Sequence, residues 1–108
     1  MEMNKYQELA VSTAIYGAGN KIIYPALGLA GEAGETCEKV KKTLRDNGGV
    51  FDQERKDALK KEIGDVLWYC AALARDLDMS LNDIAEANIA KLQARRAAGT
   101  IQGNGDNR

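Results

Sequence analysis

Four carboxylates stand in two matching pairs, Glu32-Ala33-Gly34-Glu35 and Glu62-Ile63-Gly64-Asp65. Residues three apart share one face of an α-helix, so two such helices packed antiparallel would bring four acids around one small volume. Those charges repel one another unless cations enter, and Mg²⁺ is the natural counter-ion for hard oxygen donors. The chain contains no histidine, which removes the commonest general base, the usual zinc ligand and the Glu-x-x-His halves of di-iron bundles. Any metal chemistry is therefore oxygen-ligand chemistry, suited to Mg²⁺ or Mn²⁺.

A single acidic pair at this spacing is common, and Glu35–Lys39 and Glu38–Lys42 at i, i+4 also describe an ordinary solvated helix face worth a few tenths of a kcal/mol per pair. Glycine argues for something more. Gly28, Gly31 and Gly34 each cost about 0.5–1 kcal/mol relative to alanine inside a helix, so a helix or a ligand is expected close to the backbone there. Further along, Lys91 and Arg95 lie one helical turn apart and suit either a phosphate clamp or an exposed basic edge. Asn88 falls within the apolar stripe of Leu81, Ile84, Ala85 and Leu92, where its amide needs partners.

Four helices must position these groups. The first is expected from about Asn4 to Tyr16, stopping at Gly17-Ala18-Gly19-Asn20. Pro25, the one proline, suits the first turn of a second helix reaching about Arg45, ended by Asp46-Asn47-Gly48-Gly49. Asp52 reads as the N-cap of a third helix through about Leu77, and Ser80 with Asp83 as a capping box opening a fourth. The link between the last two is short, which favours antiparallel neighbours. Residues 1–98 form one helical domain, and the tail 99–108 is too glycine-rich to continue it.

On the second helix Leu27, Ala30, Ala33, Cys37, Val40 and Leu44 form the expected core stripe, and on the third Leu59, Ile63, Val66, Leu67, Cys70, Leu73 and Leu77 do so. Glu62, Asp65 and Tyr69 flank the latter. Trp68 projects away from it and is expected to meet another part of the fold, another subunit or a ligand. The fold class is all-α, a four-helix bundle.

With 108 residues the chain makes one domain with a modest core. Its formal net charge of −1 and pI near 5.5 give no general attraction to nucleic acid or anionic membrane. Cys37 and Cys70 fit neither a disulfide framework nor a zinc spacing and are expected as reduced core thiols. No signal-like or membrane-spanning stretch is visible, so a cytoplasmic protein is expected.

The pattern E-x-x-E, spacer, E-x-x-D resembles that of the MazG-like, all-α nucleoside triphosphate pyrophosphohydrolases. The wording YPALGLAGEAGE, EIGDVLWY and NIAKLQARR agrees, and the resemblance covers nearly the whole chain. It implies metal-dependent cleavage between the α and β phosphates of a (deoxy)nucleoside triphosphate, giving a nucleoside monophosphate and pyrophosphate. Carried over by position, Glu32, Glu35, Glu62 and Asp65 would be the Mg²⁺ ligands, with Mn²⁺ able to substitute. Lys91 and Arg95 would contact phosphates, with Asn88 as a further ligand contact. One of the carboxylates would take the proton of the attacking water; the resemblance leaves open which of them, and Glu35 is the candidate. The resemblance also implies a homodimer or homotetramer. Two alternatives stand beside it: a dUTPase-like or phosphoribosyl-ATP pyrophosphohydrolase activity on the same acids, and a non-catalytic helical oligomer with an acidic surface.

Overall fold

A computed structural model describes all of residues 1–108. It contains four α-helices and no strand: α1 (Met3–Val11), α2 (Ile23–Asp46), α3 (Gln53–Asp76) and α4 (Leu81–Ala98), with one turn of 3₁₀-helix at Ala18–Asn20. The expected helix boundaries hold closely except at the end of α1. There the Ser12 and Thr13 hydroxyls donate to the Leu9 and Ala10 carbonyls at 2.6 and 2.7 Å, taking up the terminal acceptors and stopping the helix at Val11.

The caps form as the residue types dictate. The Asp52 carboxylate accepts from the Arg55 N–H at 3.0 Å and the Ser80 hydroxyl from the Asp83 N–H at 3.0 Å. Gly99 closes α4 in the left-handed conformation (φ 72°) that glycine adopts without penalty.

The helices α2 and α3, each 24 residues and so about 36 Å long, pack against each other as an antiparallel hairpin. One end is tied by Asp76, whose carboxylate accepts from the Tyr16 hydroxyl at 2.7 Å and the Ile22 N–H at 2.9 Å, with Arg75 Nε at 3.0 Å. Ile22 has φ 68°, an uncommon conformation for a β-branched residue, and this bond holds it. At the same end α1 and the start of α4 seal a small core of Ala10, Ala71, Ala74 and Leu81. Gln7, buried in it, donates to the Ala71 and Met79 carbonyls at 3.2 and 3.0 Å and accepts from the Leu81 N–H at 3.1 Å, so one amide joins three helices.

The expected core stripe of α2 is corrected by the packing, whereas that of α3 is half-buried at Leu59, Val66, Cys70 and Leu73 and exposed at Ile63, Leu67 and Leu77. The face α2 turns to α3 is Pro25, Gly28, Glu32, Thr36, Lys39 and Thr43, while Leu27, Ala30, Ala33, Cys37 and Leu44 lie exposed. Leu27 is 69% exposed, Leu44 62% and, on α3, Ile63 58%. The polar inner face is tolerated because its threonines satisfy themselves: Thr36 and Thr43 hydroxyls donate to the Glu32 and Lys39 carbonyls at 3.0 and 2.8 Å. Cys37 is thus an exposed free thiol rather than a core residue, and Cys70 is half-buried and free. Asn88, expected inside, is exposed.

The chain is correspondingly open. Its accessible surface is 7639 Å² against roughly 5,900 Å² for a compact monomer of this mass. The radius of gyration is 16.7 Å, where about 13 Å is usual.

Candidate metal and phosphate site

Glu32 lies on the inner face of α2, and Glu62 and Asp65 lie one turn apart on the facing side of α3. Antiparallel packing brings one oxygen of each within 4.8 Å of the others. Glu32 and Glu62 are half-buried and Asp65 is exposed; the Glu62 side chain is 15% exposed, and Lys39 Nζ sits 3.5 Å from its Oε1. Burial, then a hydrogen-bonding contact with Glu62, with the charges of Asp65, Glu62 and Glu35 adding, push the Glu32 carboxyl above its ordinary value. A lone ammonium beside three crowded acids leaves the cluster short of positive charge.

Such an all-oxygen donor set fits a hard divalent cation, and the residue types exclude a thiolate or imidazole site. Three of the four acids singled out by spacing are therefore brought together. Glu35, the fourth, is exposed and stands one turn along α2, near enough for its charge to act on Glu32 but outside the group of three.

One wall of the site is aromatic. Glu32 and Asp65 share an open depression of about 330 Å³ with Trp68 and Tyr69, whose rings meet edge to face at 5.0 Å. Tyr69 lies over Gly28, where an added Cβ would overlap its ring. That close approach explains one of the three α2 glycines; Gly31 and Gly34 face open space. Burial and the neighbouring Tyr24, together with the charges of Glu32 and Asp65, raise the Tyr69 phenol and keep it protonated. Trp68 meets another part of the fold: its indole N–H donates to the Ala10 carbonyl at 3.0 Å and the Thr13 hydroxyl at 2.8 Å.

The helix α4 packs on α1 and α3 at its start and then leaves the body. Lys91 and Arg95 make no contact with the acids. Both instead hold the C-terminal tail through Asp106, at 2.8 and 3.2 Å, a partner that no spacing rule in the sequence announced. Asn88 joins neither group.

One acid of α2 facing two of α3, with an aromatic wall beside them, defines an all-α scaffold built around a carboxylate cluster. The chain belongs to the MazG nucleotide pyrophosphohydrolase family: residues 25–99 match its domain, a stretch that contains the acids and Lys91 and Arg95. It is also 50% identical over 114 residues to the Gene 37 protein of Mycobacterium phage L5, with both chains covered in full. No solved structure matches it. No helix is long and apolar enough to cross a membrane.

Proposed function

We propose that this chain hydrolyses a (deoxy)nucleoside triphosphate between its α and β phosphates, releasing a nucleoside monophosphate and pyrophosphate with Mg²⁺ as cofactor. The observation that carries the reading is the convergence of Glu32, Glu62 and Asp65 within 4.8 Å on facing helices. Bound by these acids, Mg²⁺ would neutralise triphosphate oxygens and lower the pKa of the attacking water. Glu35, exposed beside the cluster, is assigned the proton of that water and a share in metal binding. Tyr69 keeps its O–H and, with Trp68, bounds the space next to the acids, so a flat base has a surface to lie against.

The working unit in this reading is an oligomer of the chain. The stripe of Leu27, Ala30, Cys37 and Leu44 on α2, with Ile63 and Leu67 on α3, is exposed in the single chain and amphipathic by design. A second hairpin laid on it would complete a four-helix bundle and bury the excess surface. Lys91 and Arg95, on an α4 that does not reach its own chain's acids, then meet the phosphates of a nucleotide held at those acids when assembly or movement of α4 brings them there.

The test is pyrophosphate release from a panel of canonical and modified nucleoside triphosphates with Mg²⁺, with Mn²⁺ and with EDTA. Release abolished by EDTA is the expected result. No release from any member, by well-folded protein, would overturn the reading in favour of a non-catalytic helical assembly.

A further inference from the structure

Past the left-handed Gly99 the tail doubles back on α4 and is clasped by Arg108. That guanidinium donates to the Thr100 carbonyl at 3.1 Å, the Ile101 carbonyl at 3.0 Å and the Gly105 carbonyl. The reversal runs through Gly103 (φ 147°) and Gly105 (φ 81°), positions open to few other residues. It delivers the Asp106 carboxylate onto two cations at once. Asp106 Oδ1 accepts from Lys91 Nζ at 2.8 Å and from Arg95 Nη2 at 3.2 Å, and the same Nη2 donates to the Asp106 carbonyl at 2.6 Å.

The fit is incomplete in a specific way. The Arg95 side chain is only 8% exposed, yet its Nε is buried without a partner. A guanidinium presents a planar fork matched to two oxygens of one anion, and here the tail uses one tine. Asp106 itself is 78% exposed, so the carboxylate on these cations faces water and an exposed ion pair of this kind holds it weakly. A phosphate group has the oxygens to take Lys91, Nη2 and the orphaned Nε together.

We infer that Lys91 and Arg95 form an anion site for phosphate, held closed by the chain's own Asp106, and that a phosphate-bearing ligand binds by displacing the tail. This deepens the phosphate-binding role proposed above for the two cations and rests on it. The tail thereby sets a threshold: a ligand with one weakly charged group competes poorly with a tethered carboxylate, whereas pyrophosphate or a triphosphate, carrying several charges, displaces it.

Calorimetric titration of the full chain with inorganic pyrophosphate in EDTA tests this without requiring metal or turnover. Asp106→Ala is expected to bind a few-fold more tightly than the unaltered chain, and Lys91→Met several-fold more weakly. Lys91 is partly exposed, so that variant keeps the test open even where a substitution at the buried Arg95 would unfold the end of α4. Equal affinity of the Asp106→Ala and unaltered chains overturns the inference, as does absence of pyrophosphate binding by both. A lower melting temperature for Asp106→Ala with unchanged affinity also overturns it, since the contact is then only a clasp. Asp65→Asn, expected to abolish hydrolysis, should leave this binding intact, so failure of the hydrolase reading and failure of the tail inference give different results.

Discussion

The closed end of the α2–α3 hairpin and its middle are built from the same helices but solve opposite problems. Toward Ile22 and Asp76 the hairpin is roofed by α1 and the start of α4, its contacts are alanines packed at close range, and its buried polar groups are paired: Gln7 with three backbone partners, Asp76 with Tyr16, Ile22 and Arg75. Around Glu32 and Glu62 the inner face of the paired helices is polar, bordered by the Trp68 and Tyr69 rings, and its acids are crowded without matching cations. The first region is a finished interior. The second is an interior for a charged guest, and because the acids take the inner face, the apolar side chains are displaced to the outer one. A site built of like charges thus dictates where the hydrophobic surface of the chain must go.

That contrast is broken most directly at the acids. Glu62→Gln or Asp65→Asn is expected to lower metal-dependent turnover by on the order of 100-fold or more while the helical circular dichroism is kept, because neither carboxylate supports the small core. Near-normal rates in either variant would remove the acids from the chemistry.

Next in size is the outer face. Leu27→Lys combined with Leu44→Lys is expected to convert an oligomer to a monomer, read by light scattering. At truly solvated positions such changes stay within about 0.5 kcal/mol. An unchanged mass would mean that this face is not where copies meet.

The finished end is probed by Asp76→Asn, expected to lower stability by about 2 kcal/mol at neutral pH, since the buried carboxylate accepts bonds that an amide serves poorly. Burial raises the Asp76 pKa, but the bonds from the Ile22 N–H, Tyr16 and Arg75 outweigh it, and the net shift is downward. A lowered folded-state pKa stabilises above the unfolded value, and that contribution is lost as pH falls through the folded one. The unaltered chain should therefore lose stability on acidification below about pH 4, and the variant should lose less over that range in denaturant melts.

The smallest effect is expected at Glu32. Glu32→Gln removes one of three crowded charges and should raise the metal-free melting temperature at neutral pH slightly. The rise that Mg²⁺ produces in the unaltered chain should shrink in the variant. A fall in metal-free stability would show that the cluster is not strained by its own charge.

Much of this was legible in the residues. Helical periodicity, Pro25, Asp52, Ser80 and Gly99 are local signals whose physics acts within one turn, and they placed α2, α3 and α4 almost to the residue. The acidic pairs were legible for the same reason, because i, i+3 spacing on a helix is a local fact, and three of the four acids do meet. The direction of each helix face was not legible in this way. Amphipathicity tells that Leu27 and Leu44 share a face; it does not tell whether that face meets α3 of the same chain or something outside it. Asn88 and Cys37 were misplaced by the same assumption. The Asp106 contact was invisible because it depends on a chain reversal through glycines, whose backbone freedom leaves no pattern.

The sequence by itself determined four helices, their caps, the spacing that pairs the acids and the absence of any nitrogen ligand from histidine, since each depends on residue type or on neighbours one turn away. Only the tertiary structure decided that the acidic faces turn inward, that Glu35 stands outside the closest group, and that Lys91 and Arg95 hold the tail instead of the acids. Those outcomes depend on how long helices pair across the chain, where burial, charge repulsion and the entropy of ordering distant segments compete and no local rule sets the balance.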